Sequence, residues 1–401
     1  MLSVTKRITP ALRFYGFDGE WEVKEFGSVV ARSGTASAEP ALPRLEYEDI
    51  VSGAGVVNKD LSRKESLKSG LLFGPGDVLY GKLRPYLKNW LLPDFHGIAV
   101  GDFWVLQSLT ADPKFLYQLI QTPMYDAVAS ISSGSKMPRA DWKLVSQASM
   151  VFPSTIEEQR AIGELFADLD ALIEQRRAKH ANLQQTKTAL LQRMFPQDCA
   201  DEPELRLDGF SGAWQSRIMR DCAEYSKGSG YSKKDITDEG TPVIHYGRLY
   251  TDYETVITRI DTFASPQPGA LISRGDEVLV PASGETAEDI AIASALLQPG
   301  VLIGGDLNVI RPCRNIDPVF LALNLSNGAA KETLVKRAQG KSVVHLRNSD
   351  IQDVEIFFPT LEEQRAIGEV FFNLDALIAA ESRFITQLTQ AKTALLQRMF
   401  V

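Results

Sequence analysis

The sequence predicts an α+β protein of duplicated construction. Two mixed α/β domains are each followed by a long helix, and the two helices pair as an antiparallel coiled coil about a pseudo-twofold axis. Three observations predict it. One segment occurs twice, at 152–195 and 358–400. Both copies carry apolar residues at helical spacing, and the stretches before them alternate short apolar runs with glycine and proline turns.

The repeat is the strongest signal. From Glu157 and Glu362 to Phe195 and Phe400 the copies align without a gap at an offset of 205, and EEQRAIGE and KTALLQRMF are identical in both. Chance does not produce that. Upstream, LRFYGFDGEW from Leu12 matches LRLDGFSGAW from Leu205 at an offset of 193. Gly76-Asp77 answers Gly275-Asp276, Gly101-Asp102 answers Gly305-Asp306, and GSKMPRADW from Gly134 faces GKSVVHLRNSD from Gly340. The first helix leads from Met194-Phe195-Pro196 toward the second LRL opening, and the chain begins shortly before the first. That is the order of a cut circle, as expected of two units facing each other. Two long units are too few for a stacked solenoid.

In chain order, 1–153 is the first recognition-type domain, 154–197 a helix, 198–359 the second domain and 360–401 the second helix. Strand-like runs are Asp77–Tyr80, Phe103–Leu106, Glu277–Val280 and Leu307–Ile310, and short helices are expected over Pro113–Val128 and Pro318–Arg337. Thr155 with Glu158, and Thr360 with Glu363, have capping-box spacing after Pro153 and Pro359. Ile162, Phe166, Leu169 and Ile173 continue one apolar stripe; Ile367, Phe371, Leu374 and Ile378 continue the other. A helix of about 40 residues runs about 60 Å, too long to bury its stripe in one small domain. It needs a partner helix. Arg176 and Glu381 hold equivalent core-type positions, so antiparallel pairing would set Glu381 beside Arg176 or Lys179 and fix the register. Such a pair would also hold two globular parts at a set separation, a ruler for contacts about one turn of DNA apart.

Composition narrows the class. With 401 residues, 44% hydrophobic and 23% charged, the chain is an ordinary multidomain globular protein. It has no uninterrupted apolar span and no signal-type N-terminus, and its cysteines, Cys199, Cys222 and Cys313, form no disulfide or metal pattern. A cytoplasmic location is expected, with no membrane partner. The net charge of −8 disfavours a free-standing nucleic-acid binder but not one with clustered cations and a helping partner.

The cations are clustered. Residues 59–88 hold seven Lys/Arg against three acids, and one short window brings Tyr80, Lys82, Arg84, Tyr86 and Lys88 together. The second domain offers Lys227, Ser229, Tyr231, Lys233 and Lys234, then Tyr246 and Arg248. Lys136, Arg139, Lys341, His345 and Arg347 precede the helices at corresponding places. Lys and Arg serve phosphates, Arg reads guanine edges, and Tyr and Ser add hydrogen bonds. Both copies place such windows comparably yet differ in them, while the helices stay nearly identical. Two different readers on one frame would look like this.

Catalytic and metal motifs are missing. Gly340-Lys341-Ser342 lacks the upstream glycine of a phosphate loop, since position 335 is Val335. Gly228-Ser229-Gly230 does not continue as a dinucleotide fingerprint, and His96, His180, His245 and His345 are dispersed. No catalytic residue and no metal ligand is expected.

Taken together, the EEQRAIGE and KTALLQRMF helices, the LRF and LRL openings, and the GSKMPRADW and GKSVVHL segments resemble the specificity subunit of type I restriction–modification systems over the whole length. The 227–250 stretch and GETAEDIAIA from Gly284 resemble its recognition segments. The resemblance implies a non-catalytic subunit that reads a bipartite, asymmetric double-stranded DNA target. It implies assembly with two methyltransferase subunits, which use S-adenosylmethionine to methylate adenine. In restricting systems two motor–nuclease subunits join them and cleave with ATP and magnesium. No cofactor is expected on this chain itself. The alternatives are a coiled-coil assembly scaffold that reads no DNA, and the specificity subunit of a related system with a different nuclease.

Overall fold

The structure, a computed structural model, describes residues 9–64, 66–131, 137–197, 200–340 and 343–400. Two helices organise it: α1, Ile156–Arg193, and α2, Leu361–Met399. The chain divides into two compact units, one of residues 1–177 with 383–401 and one of residues 178–382. Each helix is shared out, so that each unit owns one globular part and a piece of both helices. The cause is the apolar stripe, which each helix buries first against its own domain and then against the other helix.

Within each unit the helix segments run antiparallel. In the first, Phe166 faces Phe400 at 6.1 Å between rings, Asp170 pairs with Lys392 at 2.7 Å, and the Arg176 guanidinium lies 4.9 Å from the Phe384 ring. In the second, Lys179 pairs with Glu381 at 2.5 Å, Lys187 with Asp375 at 2.5 Å, and Phe195 faces Phe371 at 6.2 Å. In both sets one residue number rises as its partner's falls. The Asp170–Lys392 pair of the first unit recurs in the second as Asp375–Lys187, displaced by the repeat offset. Of the two cations that the sequence offered Glu381, Lys179 donates to it at 2.5 Å.

The identical motif EEQRAIGE has a docking role that explains its retention. Thr155 and Thr360 accept from the backbone N–H of Glu158 and Glu363, as caps do. The glutamates do not reach back to close the box. Each is buried and takes a bidentate arginine from the opening segment: Arg13 on Glu158 at 2.6 and 2.7 Å, Arg206 on Glu363 at 2.8 and 2.8 Å. The glutamine that follows binds the cap of the short helix in its own domain. Gln159 accepts from Asp112 N–H, and Gln364 accepts from Asp317 N–H. Gly163 then lets that helix come close, because a Cβ there would sit 2.7 Å from the backbone nitrogen of Phe115. At Gly368 the nearest atom is a Val319 methyl at 3.3 Å. Gly163→Ala is therefore expected to destabilise by roughly 1–3 kcal/mol and Gly368→Ala by less. Thermal melts of the two variants check the ranking.

The globular parts share a central antiparallel sheet. In the first unit its strand order is Val30–Ser33, Phe103–Ser108, Val78–Gly81, Trp90–Leu91. In the second it is Ala223–Lys227, Leu307–Pro312, Glu277–Pro281, Ser294–Leu296. Both centre on an apolar strand buried from Phe103 to Leu106 and from Leu307 to Ile310. Each expected short helix is a pair: Pro113–Leu119 with Pro123–Ala129, and Pro318–Leu325 with Gly328–Arg337. Thr122 caps a new start before Pro123, and Gly328 adopts a φ of +59°, which breaks each run. Each unit also has a smaller sheet containing one parallel pair, Arg44–Leu45 with Gly97–Ala99 and Thr241–Ile244 with Leu302–Ile303, whose remaining strands are ordered differently. Among the described residues no helix is long and apolar enough to cross a membrane.

Candidate nucleic-acid interface

Register makes the two units comparable residue by residue at one end of the central sheet. Leu83 bridges Arg139 in the first unit, and Ser283 pairs with His345 in the second. Lys82 N–H donates to the Asp102 carbonyl, and Ala282 N–H donates to the Asp306 carbonyl. Ala140 N–H donates to the Lys82 carbonyl, and Leu346 N–H to the Ala282 carbonyl. Positions 82, 102 and 139 thus answer 282, 306 and 345. One backbone frame carries two chemistries.

In the first unit the chemistry is cationic. Asp102 receives Arg139 at 3.0 Å and Lys82 at 3.4 Å. Burial would raise this carboxyl, but the hydrogen bond from Arg139 and the charges of Lys82 and Arg139 outweigh it and hold it below its ordinary range. Tyr47 braces the group from inside, donating to the Asp102 carbonyl and accepting from Leu83 N–H. Burial pushes this phenol up to about 12, so it stays a neutral donor and acceptor. Beside them an open cleft of about 560 Å³ is lined by Arg32, Lys82, Arg139 and Trp142, with Arg32 stacked on Trp142 at 5.6 Å.

The neighbouring turn presents the rest of the basic window. Arg84 and Lys88 both have positive φ, 50° and 54°, and flank a short turn through the buried Pro85. Arg84 N–H is fixed on the Pro138 carbonyl. Arg84, Tyr86 and Lys88 then project into solvent. Non-glycine residues held left-handed cost about 1–3 kcal/mol each and gather where a fold serves a ligand.

Several sequence candidates fall elsewhere. Tyr80 is a correction: only 2% exposed, it is wedged between Trp104 and Tyr125 in the core. On a strand buried on both faces it has no access to a ligand. Tyr231 is another, since its ring is buried and its hydroxyl accepts from Gln267 N–H. The Ser229 hydroxyl is committed to Leu271 N–H, and Arg248 is held by Glu254 at 2.6 Å and Asp252 at 3.2 Å. Tyr80 and Tyr231 serve the core. Lys227, Lys234, Tyr246, His345 and Arg347 are exposed. Lys233 lies on a described turn at 233–235, but its side chain, like Lys136 and Lys341 altogether, is outside the described residues. Arg32, Asp102 and Trp142 were missed. Arg32 has no local signal, being a lone cation on a strand, whereas the two matched Gly-Asp pairs at 101–102 and 305–306 marked the acid.

In the second unit the frame position is acidic and aromatic. A cleft of about 1170 Å³ is lined by Tyr246, Tyr250, His245, Glu285, Asp289 and Asp306, among others. Tyr246 and Tyr250 meet edge to face at 6.0 Å. Gly284 is required beside them, because a Cβ would lie 2.9 Å from the Tyr250 hydroxyl and 2.5 Å from an Ile290 methyl. Among the described residues no three His, Cys, Asp or Glu side chains converge as a metal site.

The chain is similar to known proteins. A family model for the type I restriction modification DNA specificity domain matches residues 212–390. The specificity subunit of the type I restriction enzyme MjaVIII of Methanocaldococcus jannaschii is 22% identical over 328 residues, covering 79% of this chain and 73% of the relative. Among solved structures, the S subunit of a type I restriction–modification system from M. genitalium superposes with a TM-score of 0.65 at 14% identity, over 98% of this chain and 99% of the other. A chain from a study of complex assembly and conformational transition in the type I R-M system gives 0.55 at 20% identity, over 96% and 99%. These superpositions speak for the fold.

Proposed function

We propose that this chain, which the family model for the type I restriction modification DNA specificity domain matches over residues 212–390, is a type I specificity subunit and reads a bipartite, asymmetric DNA target, one unit to each half-site. The observation that carries this reading is the divergence at equivalent positions. Lys82, Arg139 and Asp102 in one unit correspond to Ala282, His345 and Asp306 in the other. Identical docking motifs and unlike reading positions suit two different half-sites on one frame. A scaffold that reads no DNA would have no use for the difference.

The chain supplies recognition and its partners supply chemistry. Two methyltransferase subunits would bring S-adenosylmethionine and methylate adenine, and motor–nuclease subunits, where present, would bring ATP and magnesium. The antiparallel helices are the surface on which a methyltransferase pair would sit in matching positions. An acidic chain can then act on DNA because the first unit's cleft gathers Arg32, Lys82 and Arg139 and the partners share the backbone.

Mapping methylated adenines in cells that express this subunit with its methyltransferase tests the reading. One split motif with unlike halves is expected; methylation without a motif overturns it. Within the complex, Lys82→Ala with Arg139→Ala should weaken binding and relax base selection in one half-site only. Selection from randomised duplex DNA reads that loss; unchanged selection in both half-sites would exclude the pair as readers.

A further inference from the structure

The second unit keeps the frame acid and loses the cations that neutralise it in the first. Asp102 is pinned by Lys82 and Arg139. In the second unit the Asp306 carbonyl accepts from Ala282 N–H, which stands where Lys82 does, and His345 holds the strand position of Arg139; among the described residues Asp306 forms no ion pair. Its carboxylate is exposed at the wall of the large cleft, with Glu285, Glu288 and Asp289 around it and Lys331 as the lysine of the lining. A phosphate would be repelled there. A metal ion has no converging ligand set among the described residues. What four acceptor groups and the edge of Tyr246 can receive is a flat donor: the exocyclic amino group of cytosine or adenine at a base edge.

We propose that Asp306 is a specificity-determining residue of the second unit, accepting a hydrogen bond from a base amino group, while the equivalent place in the first unit donates through Lys82 and Arg139. This deepens the proposed function and rests on it. The two units would then select opposite hydrogen-bonding edges with one backbone frame. The first favours acceptor-bearing edges, such as guanine O6 and N7, and the second favours amino-bearing ones.

The backbone makes the test clean. Asp306 has a φ of +57°, a conformation that glycine adopts freely and asparagine tolerates. Asp306→Gly removes the carboxylate without strain, and Asp306→Asn keeps its shape without its charge. The full chain, assembled with its methyltransferase, is used to select from a pool of randomised duplex DNA. The wild type should require cytosine or adenine at one position of one half-site. Asp306→Gly should lose that requirement by about tenfold or more and keep the other half-site unchanged, with thermal unfolding no lower than that of the wild type. Asp306→Asn, whose amide oxygen still accepts, should favour adenine at that position. If the wild type selects two half-sites and Asp306→Gly selects the same bases as strictly, the assignment of Asp306 is wrong and the proposed function stands. If the wild type selects no sequence, both are wrong.

Discussion

Glu363→Ala is expected to lower the stability of the second unit by about 3–5 kcal/mol. Glu363 is 1% exposed and receives both Nε and Nη2 of Arg206 at 2.8 Å. Removing it strands a largely buried guanidinium whose remaining partner is the Gly212 carbonyl. For a unit of this size each kcal/mol moves the midpoint by about 2–4 °C, so the variant should melt at least about 6 °C lower. The double variant Arg206→Met, Glu363→Leu should recover part of the loss, because replacing both partners leaves no buried charge. A double variant as unstable as Glu363→Ala would mean that packing, and not the stranded charge, sets the cost. Glu158 and Arg13 make the equivalent pair, so Glu158→Ala should have a similar effect on the first unit.

Phe195→Ala should cost a comparable 3–5 kcal/mol. The ring is stacked on Phe320 at 5.7 Å, meets Trp214 edge to face at 6.2 Å and lies 6.2 Å from Phe371. It joins the end of α1 to the short helix of the domain, to the opening segment and to α2 at once. Truncation leaves a cavity that four elements line and cannot collapse to fill. Chemical denaturation of the full chain measures the loss. Phe195→Leu, which keeps most of the volume, should recover more than half. Equal loss from both would assign the effect to ring geometry. Phe400, stacked on Phe115 at 5.2 Å and 6.1 Å from Phe166, does the same for the first unit.

How legible was this in the sequence? The central strands at 78–81, 103–108, 277–281 and 307–312 lie where apolar runs bounded by turns put them. The long helices, their antiparallel sense and the partners offered to Glu381 follow from an undivided stripe and a cyclic order. Helices do lie over 113–129 and 318–337, but their break into two each was not legible, because Thr122-Pro123 and Gly328 act on backbone geometry that apolar spacing ignores. The reading site was half visible. Exposed Arg84, Tyr86 and Lys88 could be taken from composition, but Tyr80 sits in the same window and points into the core. In a strand, neighbours alternate sides, and a window count cannot tell them apart.

Duplication and helix pairing were decided by the sequence alone, because periodicity and identity between two copies survive without coordinates. The role of EEQRAIGE was decided only by tertiary structure. Its glutamate meets an arginine 145 residues away in one unit and 157 in the other, and its glycine is demanded by a helix end from another part of the chain. The equivalence of Lys82 with Ala282 was likewise decided there, whereas Asp102 with Asp306 and Arg139 with His345 already follow from the matched Gly-Asp pairs and the segments from Gly134 and Gly340. The repeat offset shifts between those anchors, so sequence alignment misplaces Lys82. Strand register restores it, since backbone hydrogen bonds admit only one pairing.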